Sequence, residues 1–274
     1  SLTLSGSSTG KSTGQTVQCL ENVDQLIRAW TQYAQCNGGW LPPNQDDGAY
    51  GNWLSGDMDN PGTFNDPTNY GILNNTFTSP SYTKTFSAIG GYFNDYKICH
   101  CPADPSTGAL GQLRGAAAQV PRVRSYSMSQ AVGTDDIGRG PVDGPWLTGN
   151  YGQNTASRGP YLTFGRLDSF TRPGPASTFV ITDEDPYSIN DAAIATVMDL
   201  PAHWIDYPAS YHNNGCSFAF ADAHVEPHRW KVAPVLNGQL VTRPGSTPDI
   251  EWFQRVSSAK KNGSPIPADG GPNG

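Results

Sequence analysis

"SYHNNGCSFAFADAHVEPHRW", Ser210 to Trp230, decides the fold. Side chains alternate with period two along a strand, so Cys216, Phe218 and Phe220 share one face while Ser217, Ala219 and Ala221 share the other. Asp222 and Ala223 then read as a hairpin tip. If Ala221 pairs with His224, Phe220 faces Val225 and Phe218 faces Pro227, giving the hairpin one apolar face to bury. Ala223 is an uncommon tip residue, because hairpin turns need positive φ there and a Cβ in that region costs roughly 1 kcal/mol. The three histidines and the aspartate also raise a metal-site reading. His212 and Asp222, however, bracket a run of about 33 Å when extended, so they are expected to be separate anchors. His212 would fix the loop before the strand and Asp222 would make an Asx-type turn. His224 and His228 share a face but stand about 13 Å apart, too far to hold one zinc ion without backbone irregularity.

The rest of the chain sets the context for this hairpin. Its 274 residues include 31 glycines and 23 prolines, and only 36% are hydrophobic, which predicts a loop-rich globular domain. A net charge of −7 with no basic cluster argues against nucleic acid as a partner. No run approaches the ~20 apolar residues of a membrane span. The polar start "SLTLSGSSTGKSTGQ" suggests a processed or truncated form.

From Val17 to Ala34, the residues Val17, Leu20, Val23, Ile27, Trp30 and Ala34 recur at helical spacing, with Leu26 and Tyr33 widening the stripe. Thr13 or Thr16 caps its start, and "NGGWLPP" stops it. A shorter helix is expected over residues 84 to 93. Strand-like runs follow in "YKICHCPADPS", "VRSYSMSQAVG" and "STFVITDEDPYSIN", then weak strands near 239 to 242 and a helical turn near 249 to 257. The pattern predicts an α+β fold, a long N-terminal helix packed on an antiparallel sheet. Residues 1–16 read as a polar segment, 17–257 as one head and 258–274 as a tail.

Five cysteines, at 19, 36, 99, 101 and 216, leave at least one unpaired. Cys19 and Cys36 are about 25 Å apart along the helix, and Cys99 and Cys101 are too close for an ordinary bridge. A zinc cluster built on "CHC" would need a second CxxC-like pair, which the sequence lacks. Hard oxygen donors gather instead in two loops, Asp57, Asp59 and Asp66 in one, Asp183, Asp185 and Asn190 in the other, so any bound ion is expected to be calcium. Asp183 and Glu184 lie next to each other and point to opposite faces, so a glycosidase-type acid pair would need a further partner such as Asp206. Trp40, Trp53 and Trp204 are candidates for a sugar-binding platform. No GxSxG, HExxH or Walker signature is present, and no catalytic residue is assigned.

Several of these stretches taken in order resemble a known family. His212, nine residues, Asp222, Ala223 and His224 look like the H-x9-DG signature of prepilin-type processing-associated proteins, relatives of the type II secretion pseudopilins. "VQCLENVDQLIRAWTQYA" with "LPP" resembles a pilin helix entering its head, and "CPAD", "VRSYSMS" and "ITDEDPYSIND" occur in matching order. The resemblance covers roughly residues 17 to 231. It departs at Ala223, where the family has glycine, and before residue 17, where the family has an apolar stem. The resemblance implies a pilin-like head outside the cytoplasm, a structural or filament subunit that associates with itself or with other pilin-like subunits, reaching a membrane only through an upstream stem, with calcium held in a head loop. The alternative reading is a secreted protein that binds or hydrolyses polysaccharide.

Overall fold

A computed structural model describes residues 7–46, 51–56, 58, 73, 87–109, 119–135, 140–236, 239–240 and 247–266. The N-terminal helix α1 (Ser7–Cys36) begins ten residues before the hydrophobic stripe. Its buried face is also rotated from the expected one. Val17 is half exposed, whereas Cys19, Val23, Leu26, Ile27, Trp30 and Ala34 are fully buried. The helix ends where Gly38 takes φ 64° and Gly39 donates its N–H to the Ala34 carbonyl, a left-handed cap that suits glycine.

Two short strands, β1 (Thr107–Ala109) and β2 (Gln119–Pro121), pair with each other. The main sheet holds β3 (Tyr126–Ser129), β4 (Phe179–Asp183), β5 (Ala193–Ile194), β6 (Gly215–Phe220) and β7 (Val225–Arg229) in the order β5-β3-β4-β6-β7. Its pairs are antiparallel except β3 with β5, which is parallel, so the expected antiparallel sheet is mixed. A further pair, β8 (Val235–Leu236) and β9 (Gln239–Leu240), precedes α2 (Thr247–Ser257). The architecture is α+β. "YKIC" is a 3-10 turn, Tyr96–Cys99, where a strand was expected, and residues 88–91 form turns where the sequence suggested a helix.

The alternation in β6 sorts the sheet's two faces. Cys216, Phe218 and Phe220 join Phe179, Trp204 and Trp230 in one core, covered by Ile250, Phe253 and Val256 of α2. Ala219 belongs to the other core, with Val23, Ile27 and Trp30 of α1. Small residues at 217 and 219 let the helix approach the sheet closely. A bulge in β4 between Phe179 and Ile181 sends Phe179 to the α2 face and Ile181 to the α1 face.

The hairpin register is one residue off the expected one. Ala219 pairs with Val225 and Phe218 with Glu226. Ala223 donates its N–H to the Phe220 carbonyl and sits at φ 71°, while the Phe220 N–H reaches the His224 carbonyl. This is a three-residue loop whose last residue occupies the left-handed region that normally takes glycine. The added loop residue moves every later pairing by one. At the C-terminus, residues 258 to 261 join the body: Leu162 N–H bonds the Ala259 carbonyl and Lys261 N–H the Pro160 carbonyl. Residues 258 to 261, assigned from sequence to a tail, are thus part of the body.

Candidate functional site

One end of the α1-facing side of the sheet is polar. Tyr126 of β3 pairs in register with Asp183 of β4, and Ser217 of β6 donates its N–H to Asp183 Oδ1 at 2.8 Å. These three residues form a row across the sheet. Cys19 reaches the row from α1, Cys101 from the loop after the 3-10 turn, and His212 from the loop before β6. The ligand-type atoms of Cys19, Cys101, Asp183 and His212 all lie within 4.8 Å of one another. Cys19, Cys101 and Asp183 are fully buried, and His212 is 7% exposed.

Each side chain is held by its surroundings. The Cys19 thiol donates to Asp183 Oδ2 at 3.2 Å, lies 3.2 Å from Tyr126 Oη and accepts from Ser217 Oγ at 3.3 Å. His212 Nε2 is 3.3 Å from Asp183 Oδ2 and 3.3 Å from Cys101 Sγ, and its Nδ1 is 3.2 Å from Thr16 Oγ1. The sequence "HNNG" explains how His212 is aimed. Asn213 and Asn214 take φ 54° and 66°, a conformation asparagine tolerates, and His212 N–H closes the turn on the Gly215 carbonyl. A Cβ on Gly215 would collide with the His228 carbonyl, so the strand must start with glycine.

Cys101 is placed by the "CPAD" turn. Its N–H donates to Ser125 Oγ at 3.0 Å, and Ser125 Oγ in turn donates to Asp104 Oδ2 at 2.6 Å. The polar end of α1 holds this loop, with Gln15 Nε2 donating to the Pro102 carbonyl and Asn22 Nδ2 to the His100 carbonyl. Residues 15 and 16, read from sequence as part of a polar segment, are thus contacts of the cluster.

Charge in this corner follows from burial and from Asp183. Burial opposes an imidazolium at His212, but hydrogen bonds to Asp183 and Cys19 and their charges outweigh it and push the ring up to about 10. Burial pushes the Cys19 thiol well up, helped by its hydrogen bond with Cys101 and by the Asp183 charge. The Cys101 thiol and Tyr126 phenol move the same way, chiefly by burial. Burial thus favours the protonated thiols, while the neighbours of His212 favour its imidazolium.

The other residues singled out in the sequence lie apart from this corner or from one another. Asp222 makes the expected Asx contact, its Oδ1 accepting from His224 N–H at 3.1 Å and lying 2.6 Å from His224 Nδ1. His224 stacks on Phe220, and His228 stacks on Trp252 at 3.5 Å between ring centroids. Asp185 Oδ1 accepts from Tyr187 N–H and is not among the donors gathered at Asp183, and the Asn190 carbonyl accepts from Met58 N–H. Two thiols and an imidazole face Asp183, where the calcium expectation called for oxygens. Asp57, Asp59 and Asp66 lie outside the described residues.

Trp40, Trp53 and Trp204 do not form a sugar platform. Trp53 is fully buried and donates to the Ala192 carbonyl, Trp204 is 9% exposed against Trp230, and Trp40 lies under the Arg166 guanidinium. Glu184 is fully buried, and burial, then the charge of Asp206, raises its carboxyl well above the ordinary range. A raised carboxyl next to a second acid resembles a glycosidase pair, but no sugar can reach a fully buried Glu184, and the Ala195 N–H occupies Asp206 Oδ2. Sequence reading did not bring Cys19 and Cys101 together. The clue was Cys19 itself, within the apolar stripe between Val17 and Leu20 and on the buried side of the helix. It also passed over Arg124, fully buried and donating to the carbonyls of Gly56, Tyr126 and Asp191.

No family model, curated protein or solved structure matches the chain.

Proposed function

We propose that the chain is the head of a pseudopilin-like, non-enzymatic subunit that works outside the cytoplasm, assembling with copies of itself or with other pilin-like subunits. The observation that supports this reading best is α1. It runs unbroken for 30 residues and packs Val23, Ile27 and Trp30 against the sheet with 0% exposure. In a stemmed subunit such a helix is the part that would continue upstream into an assembly. The H-x9-D hairpin is consistent with it, since both of its named residues act as anchors. Among the described residues no helix is long and apolar enough to cross a membrane, so the reading places assembly in an added stem. Calcium in the loop of Asp57, Asp59 and Asp66 belongs to the same proposal, tested by a melting temperature that rises with added calcium.

The deciding experiment adds an apolar helix of about 20 residues directly before Ser1. The stemmed chain is expected to form ordered filaments by electron microscopy, and residues 1–274 alone to sediment as a monomer at micromolar concentration. Ordered filaments from the stemless chain would move assembly from the stem to the head, whereas no filaments from the stemmed chain, or correct folding of a chain lacking residues 7–36, would overturn the proposal.

The polysaccharide reading keeps one specific observation. A cleft of about 360 Å³ is lined by Asn44, Asp46, Asp135, Asp143, Tyr151 and Asn154, and the half-exposed Tyr151 ring pairs with Trp146 at 5.3 Å. Amides, carboxylates and an exposed aromatic face suit a sugar. Binding of soluble glycans that Tyr151→Ala abolishes would favour this second reading.

A further inference from the structure

We propose that Cys19, Cys101, Asp183 and His212 form a tetrahedral Zn²⁺ site that fastens α1 and the loop of Cys101 to the sheet. The proposal does not depend on the pilin-like reading. Donor type comes first. Two sulfurs with one imidazole and one carboxylate are a zinc set, whereas calcium and magnesium take oxygens in larger number. Four protein donors in a closed, buried corner correspond to a structural ion, because a catalytic zinc keeps one position open.

Spacing agrees. In a tetrahedron with Zn–S of about 2.3 Å and Zn–N or Zn–O of about 2.0 to 2.1 Å, ligand atoms stand roughly 3.3 to 3.8 Å apart. The Cys19–Asp183 edge is 3.2 Å, and the Asp183–His212 and Cys101–His212 edges are each 3.3 Å. The remaining edges fall within 4.8 Å. Shifts of a few tenths of an ångström to about one complete the polyhedron.

The atoms that turn away from the centre are already engaged. His212 presents Nε2 to the cluster while Nδ1 faces Thr16 Oγ1, the usual way a ligating imidazole is oriented. Asp183 presents Oδ2 while Oδ1 accepts from Ser217 N–H. Binding displaces the thiol protons of Cys19 and Cys101 and the Nε2 proton of His212 to solvent, with no change of oxidation state. Two thiolates, a carboxylate and Zn²⁺ leave a net charge of −1, which the hydroxyls of Tyr126 and Ser217 meet at Cys19 Sγ. The ion would join residues 19, 101, 183 and 212, which are far apart in the chain, so binding is coupled to folding.

The competing chemistry is a Cys19–Cys101 disulfide, which would consume both sulfurs. The test uses the full chain, reduced and freed of metal, titrated with Zn²⁺ and separately with Co²⁺. One equivalent of zinc is expected, together with a raised melting temperature. Cobalt is expected to give the intense sulfur-to-metal charge-transfer absorption and visible bands of a tetrahedral site. Cys101→Ser and His212→Gln should lose those bands, Thr16→Val should weaken zinc binding about 10-fold by releasing the imidazole, and Cys36→Ser, on the exposed face of α1, should bind normally. If the ligand variants do not fold, the wild-type titration decides alone. No zinc uptake by the folded, reduced chain, a cobalt spectrum without sulfur character, or a Cys19–Cys101 disulfide in the chain isolated from its own compartment would each overturn the proposal.

Discussion

The two faces of the sheet are built from the same strands by different means. On the α2 face, Phe179, Phe218, Phe220, Trp204, Trp230, Trp252 and Phe253 interlock, with Phe218 edge-on to Phe179 at 5.5 Å and to Trp252 at 4.9 Å. On the α1 face, the neighbouring positions of β6 are Ser217 and Ala219, and the helix sits close enough for Cys19 to touch the strand residues. Both faces bury apolar side chains, but the α1 face also gathers specific donors at one end. The polar chemistry is thereby confined to one side of a single strand.

The sharpest way to test that division is to cut each face in turn. Phe218→Ala removes a fully buried ring from the aromatic face and is expected to cost about 3 to 5 kcal/mol in urea unfolding. The same face should respond to acid. Burial pulls His228 down to about 4, against the opposing charge of Asp249. The unfolded chain takes up this proton near pH 6.5 and the folded chain only near pH 4. The contribution of His228 is therefore complete above about pH 6.5, declines as pH falls to about 4 and changes no further below that. Other groups titrate in this window, Glu184 among them and in the opposite sense, so the measurement is the difference between wild type and His228→Gln across that range.

On the α1 face, Ser217→Ala removes a buried hydroxyl that donates to Cys19, and its expected cost in the metal-free chain is about 1 kcal/mol. A loss as large as that of Phe218→Ala would erase the contrast. The smallest effect belongs to the hairpin tip. Ala223→Gly relieves a left-handed alanine while giving back part of the gain through unfolded-state entropy, so it should stabilise by roughly 0.5 kcal/mol. A destabilised variant would mean that the Ala223 side chain does more in packing than the turn costs it.

The aromatic face was readable from sequence because period-two alternation over six residues is a local pattern. The register was missed by one because the turn type, and with it the left-handed Ala223, depends on hydrogen bonds that alternation does not encode. The cover of α2 over Phe218 was missed because an eleven-residue helix after a weak pair of strands carries no sign of where it docks. The four-residue corner was hidden for a different reason. Cys19, Cys101, Asp183 and His212 share no sequence spacing and come from a helix, a loop, a strand end and an asparagine turn. Reading "CHC" as a pair looked for a second cysteine motif, whereas Cys99 turns elsewhere and Cys101 meets Cys19 through the fold. His212 N–H closes its loop on the Gly215 carbonyl, and that turn aims its imidazole at the corner.

The most direct measurement of whether the polar corner of the α1 face is a built site is X-ray absorption at the zinc edge of the zinc-loaded, reduced chain. The expected shell holds two sulfurs at about 2.3 Å and two nitrogen or oxygen donors at about 2.0 to 2.1 Å. A shell of nitrogen and oxygen alone, or one with three or more sulfurs, would contradict the assignment of Cys19, Cys101, Asp183 and His212 to one ion.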